Sequence, residues 1–233
     1  MNWSGLSGTF SIGGMWGNST QRDDGVADCR IVPVVGDPAA ACGGIPVGGS
    51  PIDPGETPPT RSLPADGDYK VSGFALGLGF GHNWQFGSWV VGAEADISKT
   101  WVNGRSSKCG IGMPAHDCGT SMDAMATFRG RLGYAFDRYL VYVTGGGAAA
   151  QVSAYDKLYN VSGTQTMWGV SYGAGFEAML AENLSMKVEY LRADFGEKAV
   201  FDIVAGVPER IGLQTNIVRI GATYRFGGLA LHP

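Results

Sequence analysis

Apolar and polar residues alternate at period two in many segments of this chain. In "NIVRIGATYRF" (216–226), Ile220, Tyr224 and Phe226 fall on one face of an extended chain, whereas Arg219 and Arg225 fall on the other. Alternation of this kind indicates a β-strand whose two faces lie in different environments. The question for function is which of the two environments each face meets.

The same pattern recurs along the chain and predicts eight strands. Most of the 11 prolines lie between residues 17 and 69, and a proline cannot donate to a strand ladder, so that segment is predicted to be a loop. The predicted strands are 3–16, 70–84, 88–101, 122–136, 139–153, 166–180, 184–196 and 213–226.

The connections between these strands are alternately short and long. The short ones are 85–88, 137–138 and 181–183, and the long ones are 17–69, 102–121, 154–165 and 197–212. Strict alternation places all short turns at one end and all long loops at the other, which is typical of outer-membrane barrels. The prediction is therefore an all-β protein, an eight-stranded antiparallel transmembrane β-barrel with short periplasmic turns and long extracellular loops. It forms a single domain over 1–233, with 17–69 as a long extracellular loop inserted between strands 1 and 2.

Composition agrees with a strand-crossing membrane protein. Charged residues are 16% of the chain, below the roughly 25% usual in soluble domains, and no apolar run is long enough for a membrane-spanning helix. The net charge of −4 argues against binding to nucleic acid. The chain opens "MNWSGLSG" without an apolar leader, so either the protein is cytosolic or this is a mature form whose signal peptide has been removed. The cysteines described below favour a removed signal peptide.

In a barrel of this kind the aromatic faces meet lipid and the charged faces point inward. The fifth predicted strand is apolar on both faces, and its orientation stays open. The charges assigned to the interior are Glu94, Asp96, Glu177 and Glu189, with Arg129, Arg131, Lys187, Arg219 and Arg225. An eight-stranded barrel is just wide enough for side chains to fill it, and buried charges need partners. The near balance of charge therefore favours a packed network of ion pairs over a lined pore or a proton path.

The four cysteines are Cys29, Cys42, Cys109 and Cys118. Their spacing does not match a zinc site, and each pair lies within one predicted outer loop. Three connectivities are possible, and local pairing, Cys29 with Cys42 and Cys109 with Cys118, closes the shortest loops. Disulfides imply an oxidising compartment, in agreement with export.

No catalytic or cofactor site is predicted. None of the three histidines, His82, His116 and His232, has a serine nucleophile and an orienting acid at suitable spacing. The acidic residues of 17–69 are scattered, which favours a solvated loop over a cation site. We therefore expect no enzyme activity, no metal and no cofactor.

The chain also resembles a known family. The resemblance rests on the segments "WSGLSGTFSIGG", "GLGFGHNWQFGSWVVGAEADI", "TFRGRLGYAFDRYLVYVTGG", "WGVSYGAGFEAMLAENLSMKVEYL" and "NIVRIGATYRF". These are similar to the small outer-membrane β-barrel surface antigens of alphaproteobacteria, the Omp25/Omp31 type, within the OmpA-like eight-stranded barrel group. The resemblance covers all eight predicted strands, whereas the long first loop, the cysteines and the residues "GGLALHP" after Phe226 depart from it.

The resemblance implies a monomer of the bacterial cell outer membrane with a structural and surface-presenting role. Its implied partners are outer-membrane lipids, lipopolysaccharide and the barrel-assembly machinery, which reads a carboxy-terminal aromatic residue in such barrels. Two alternatives stay open: a surface protein that binds a ligand, haem or a cation, on its outer loops, and a narrow diffusion channel.

Overall fold

The structure, a computed structural model, describes residues 2–23, 69–109, 116–157, 161–204 and 207–226. Within these ranges the chain forms eight strands: β1 (Gly5–Asp23), β2 (Tyr69–Phe86), β3 (Trp89–Cys109), β4 (His116–Phe136), β5 (Tyr139–Asp156), β6 (Val161–Ala181), β7 (Leu184–Val204) and β8 (Val207–Arg225). No helix long and apolar enough to cross a membrane occurs in the described ranges.

Each strand pairs antiparallel with the next, and β8 pairs with β1, so that the sheet closes into a barrel. The predicted fold class is confirmed. The three short connections are two-residue turns at 87–88, 137–138 and 182–183. Gly87 and Asp137 in these turns have φ of 62° and 52°, the left-handed conformation that tight hairpins require. All three turns lie at one end of the barrel, which we call the periplasmic end.

The strands extend further toward the other, outer end than the sequence pattern predicted. The predicted loops 102–121, 154–165 and 197–212 lie mostly within strands, and β1 continues to Asp23. The predicted strands were the proline-free segments in which apolar and polar residues alternate at period two. The ladders continue past these segments because the inward face stays packed, and this part of the prediction was wrong. The rest of the predicted first loop, 24–68, lies outside the described residues.

The outward face carries an apolar band bordered by aromatic side chains, as expected of a surface that meets lipid. Exposed aromatic residues near the periplasmic end include Trp84, Phe86, Trp89, Tyr134, Phe136, Tyr139, Tyr224 and Phe226. A second group nearer the outer end comprises Trp16, Phe74, Trp101, Trp168 and Tyr190. Beyond this outer aromatic group the outward face turns polar, so the lipid-facing band covers only part of each strand.

The interior is filled in three layers. The lower apolar layer, at the periplasmic end, consists of Trp3, Val90, Ala135, Leu140, Tyr142 and Met179. The upper apolar layer, toward the outer end, includes Met15, Val102, Met122, Met125, Val152, Met167, Leu191, Phe195, Leu213 and Ile217. Charged side chains lie between the two layers. The fifth strand, which the sequence could not orient, turns Leu140 and Tyr142 inward and Val141 and Val143 outward.

The barrel wall has a seam between β6 and β7. Their pairing ends at Val170 with Asp194, although β6 continues to Val161 along β5 and β7 continues to Val204 along β8. Beyond Val170 toward the outer end, therefore, the edge of β6 that faces β7 pairs with no strand among the described residues.

Candidate functional site

The candidate site is the set of charged side chains in the barrel interior, which we call the interior charge network. All nine residues assigned to the interior from the sequence point inward and are buried. Eight of them form ion pairs, and Arg225 lies apart from the rest. These eight are Glu94, Asp96, Arg129, Arg131, Glu177, Lys187, Glu189 and Arg219.

Asp96 on β3 joins two arginines. Arg129 Nη2 lies 2.8 Å from Asp96 Oδ2, and Arg219 Nη1 lies 3.1 Å from Oδ1. Thr127 Oγ1 donates a further hydrogen bond of 2.7 Å to Oδ2. Since both oxygens have charged donors, the carboxylate is held in one orientation between β4 and β8.

Glu189 on β7 binds the same two arginines from the other side. Arg219 Nε donates to Glu189 Oε2 at 2.7 Å, and Arg129 Nη1 lies 3.3 Å from Oε1. The hydroxyl of Tyr142 also donates to Oε1, at 2.9 Å. Asp96 and Glu189 therefore enclose Arg129 and Arg219, so that each of these two carboxylates pairs with both arginines.

Glu94 on β3 extends this arrangement across the lumen to Lys187 on β7. The Lys187 ammonium donates to Glu94 Oε1, which also lies 3.7 Å from Arg129 Nη2 and 3.9 Å from Arg219 Nη2. A direct contact between β3 and β7 crosses the barrel, because these strands are not neighbours in the sheet. The lumen at this level is thus bridged by side chains.

A second, smaller group lies toward the periplasmic end. Arg131 Nη2 donates to Glu177 Oε2 at 2.9 Å, and its guanidinium lies 4.0 Å from the centre of the Tyr142 ring. Arg225 lies 4.7 Å from the ring centre of Trp3 and forms no ion pair with a described carboxylate. It is the one predicted member that the structure does not bring into the ion-paired set.

Strand register explains two of the ion pairs. Glu94 is directly opposite Arg129, and Glu189 is opposite Arg219. Glu177 is opposite Lys187 but is bonded to Arg131 instead. Opposite charges at facing positions of neighbouring strands stabilise the sheet and fix its register.

Glycines opposite the arginines let the neighbouring strands approach closely at these positions. Gly146 is opposite Arg129, and a Cβ there would lie 2.1 Å from Phe128 O and 2.7 Å from Arg129 Cα. Gly13 is opposite Arg219, where an added Cβ would lie 2.7 Å from Arg219 Cβ. The sequence analysis did not single out Gly13 or Gly146, although the high glycine content was a usable signal.

The network and the apolar layers leave little free volume. A cavity of about 10 Å³, lined in part by Ser11, Gly77 and Arg219, has room for about one water molecule. In a low-dielectric interior each charge requires a partner. The arrangement is suited to holding the barrel together.

The cysteines differ in part from their predicted positions. Cys109 is the last residue of β3 and Cys118 lies in β4, so neither occupies an outer loop as predicted. Cys118 is disulfide-bonded and fully buried, and register places Cys109 opposite His116, two residues from Cys118. The pairing of Cys109 with Cys118 stays a prediction. Cys29 and Cys42 lie outside the described residues.

The histidines and possible metal ligands form no site in the described part of the chain. His82 faces outward in β2, next to the Trp84 ring at a centroid distance of 4.4 Å. His232 lies outside the described residues. No group of three or more His, Cys, Asp or Glu side chains placed to hold a metal ion occurs within the described ranges.

A closed eight-stranded barrel with an apolar outer band and a packed, charged interior defines a class, the outer-membrane β-barrels. Residues 4–226 match the family described as the outer membrane protein beta-barrel domain, and the chain belongs to that family.

Two relatives make the assignment more specific. The chain is 33% identical to a 31 kDa outer-membrane immunogenic protein of Brucella melitensis biotype 1, over 68% of this chain and 69% of the relative. It is 31% identical to a 25 kDa outer-membrane immunogenic protein of Brucella abortus biovar 1, over 68% of this chain and 66% of the relative. The resemblance to these surface antigens and the outer-membrane location are thereby confirmed.

Among solved structures, the outer membrane protein OprG from Pseudomonas aeruginosa is similar with a TM-score of 0.48 and 14% identity. The match covers 96% of this chain and 98% of OprG. At that level of similarity nothing about the function of this protein follows from it.

Proposed function

We propose that this protein is a non-enzymatic structural barrel that closes its own lumen and presents its outer strand ends at the cell surface. The observation that carries the proposal is the interior charge network between two apolar layers. Glu94, Asp96 and Glu189 are each bonded to at least one buried cation. A side chain held in this way cannot move aside for a solute without leaving a charge uncompensated.

The alternative of a narrow diffusion channel is less well supported. A channel requires a continuous polar path, whereas here Met122, Met167 and Phe195 fill the lumen above the charges, and Leu140 and Met179 fill it below. The alternative of haem or a cation on the outer loops concerns residues that largely lie outside the described ranges.

The proposed partners follow from the outward surface. The aromatic borders of the apolar band suit contact with outer-membrane lipids and with lipopolysaccharide in the outer leaflet. Delivery to the membrane would require the barrel-assembly machinery. Because the ring of strands closes on itself, a single chain satisfies the backbone through the membrane, and we propose that the protein is a monomer.

Surface presentation is supported by the names of the relatives, which describe immunogenic outer-membrane proteins. Strands that continue beyond the lipid band would hold such a surface in a fixed shape above the membrane. Residues accessible there include Asp117 and Lys157, whose side chains form an exposed ion pair of 2.8 Å. The hydrogen bond donated to Asp117, together with the charge of that carboxylate, raises the pKa of Lys157.

A deletion strain of the source bacterium tests the structural role. We expect it to become sensitive to detergents and to hydrophobic antibiotics, while its uptake of small hydrophilic solutes stays unchanged. The wild-type gene supplied in trans should restore resistance. An intact envelope combined with slower solute uptake would overturn the structural proposal in favour of a channel.

A further inference from the structure

A surface groove of about 330 Å³ lies on the outer part of the barrel wall, across β4, β5 and β6. Its lining includes the hydroxyl-bearing side chains Ser121, Ser153, Tyr155, Ser162 and Thr164. We call it the Tyr155 groove. It lies outside the lumen and takes no part in the interior charge network.

The floor of the groove is a row of polar side chains that runs across three strands. Ser121 is opposite Ser153 in the register of β4 and β5, and Ser153 is opposite Thr164 in that of β5 and β6. The hydroxyls of Ser153 and Thr164 are 2.9 Å apart, and Ser153 donates to Asp123 Oδ2 at 3.3 Å. Hydroxyls both donate and accept hydrogen bonds, so the row can match either kind of group on a ligand.

Tyr155 gives the groove an aromatic border. It occupies the space above Gly119, where an added Cβ would lie 2.6 Å from a Tyr155 ring carbon. Glycine at 119 therefore lets the ring lie against the wall of the barrel. An aromatic ring beside a cluster of hydroxyls combines an apolar surface with hydrogen-bonding groups.

The groove lies just above the lipid band. Trp168, with 70% of its surface exposed, belongs to the outer aromatic group. Thr164 lies on the same strand, four residues nearer the outer end. Four residues of a strand span about 13 Å. In the outer leaflet of an outer membrane, this height is occupied by the saccharide part of lipopolysaccharide.

The adjacent strand edge adds backbone groups. Thr164 lies in the stretch of β6 beyond Val170 that pairs with β5 alone within the described residues. Across the seam, Lys198 Nζ lies 3.5 Å from Thr166 O. Backbone donors and acceptors on this edge are available to a ligand that is rich in hydroxyls.

Charge distinguishes a sugar from a phosphate as the ligand. No charged side chain is among the described residues that line the groove. The neighbouring cation Lys157 is already hydrogen-bonded to Asp117. The charged group that is hydrogen-bonded to the floor, through Ser153, is the carboxylate of Asp123, which is negative. An anionic group would lack a cationic partner here, whereas a neutral hydroxylated ring would find donors, acceptors and an apolar surface.

We propose that the Tyr155 groove binds a neutral pyranose sugar in the saccharide part of lipopolysaccharide. The proposal rests on the outer-surface location contained in the proposed function, and it adds a ligand class and a site. Tyr155 supplies the ring against which the sugar packs, and the hydroxyls of Ser153 and Thr164 supply hydrogen bonds.

The test uses the full chain, refolded without lipopolysaccharide into detergent micelles. Isolated core oligosaccharide, released from lipopolysaccharide by mild acid, is titrated into it and followed by calorimetry, and lipid A is titrated separately. We expect the oligosaccharide to bind and Tyr155→Ala to weaken this binding about fivefold, which corresponds to a lost contact of roughly 1 kcal/mol. Tyr155→Phe, which keeps the ring, should stay closer to wild type.

The matched control is Gln214→Ala on the opposite wall. Gln214 is also exposed above the outer aromatic group and is hydrogen-bonded, to Asp194 at 2.9 Å, so its removal should leave the affinity unchanged. The proposal is overturned by the absence of oligosaccharide binding at ~10 mM, by equal affinity of Tyr155→Ala and wild type, or by binding of lipid A alone. None of these readouts depends on envelope integrity, so the proposed structural role can fail or hold separately.

Discussion

Glu189 shows how a single buried side chain links several strands. It is fully buried on β7. It accepts hydrogen bonds from Arg219 on β8 and Tyr142 on β5, and it forms an ion pair with Arg129 on β4. Two cations and one hydroxyl therefore depend on the same carboxylate. Breaking a buried ion pair by removing one partner leaves the other charge uncompensated, which costs more than the pair itself contributes.

We therefore predict that Glu189→Gln lowers the free energy of unfolding by about 3–5 kcal/mol. The amide keeps the shape of the side chain but leaves Arg129 and Arg219 short of one negative charge. Urea unfolding in detergent, followed by the shift between folded and unfolded bands on unheated gels, measures the change. Glu182→Gln in the exposed turn at 182–183 is the control and should unfold as wild type does. Equal stability of the two variants would contradict the role of the network.

Two adjacent glycines provide a sharper test of the packing around Arg129. A Cβ at Gly146 would lie 2.1 Å from Phe128 O, whereas nothing lies within 4 Å of a Cβ at Gly147. Gly146→Ala should destabilise the barrel by about 1–3 kcal/mol, the usual cost of overpacking, and Gly147→Ala should not. The same gel assay compares them. A destabilised Gly147→Ala beside an unaffected Gly146→Ala would contradict the close approach of β5 to β4 at Arg129.

At the scale of elements, the strands are 18–21 residues long, about twice the 9–11 residues that cross a bilayer. Their number, order and short turns were predictable because the lipid-facing alternation is strong. Their outer ends were not. Beyond Trp101 and Trp168 the outward residues are polar, while inward residues of the extensions, such as Val102, Ala154 and Ile211, stay apolar. A search for apolar residues at every second position, without requiring the other face to be apolar, could have found these extensions.

The disulfide prediction belongs to these extended ends. We expect peptide mapping of the folded, non-reduced protein to give Cys109 joined to Cys118 and Cys29 joined to Cys42, with no thiol open to labelling. A bridge between β3 and β4 closes a short loop, so it lowers the conformational entropy of the unfolded chain only modestly. Reduction should loosen the outer end to protease while the β signal of the barrel stays unchanged. A bridge from Cys118 to Cys29 or Cys42 would contradict local pairing.

At the scale of the whole molecule, the interior set could be predicted but its partners could not. Strand parity is enough to place Glu94 and Lys187 inside the barrel. Their contact joins residues 93 positions apart across the lumen, and it depends on the tilt and stagger of the closed barrel, which no local pattern encodes. The three-layer interior is likewise a consequence of closure, because it combines inward residues from all eight strands.

The central claim is that the lumen is closed, and conductance across a planar bilayer tests it most directly. The purified, folded protein is inserted into the bilayer, and a porin serves as the positive control for insertion and recording. We predict no stable conductance steps, because the ion-paired layer and the apolar layers above and below it fill the lumen. Insertion should be verified by the protease resistance of the recovered protein. Stable openings of porin size from inserted wild-type protein would contradict the account.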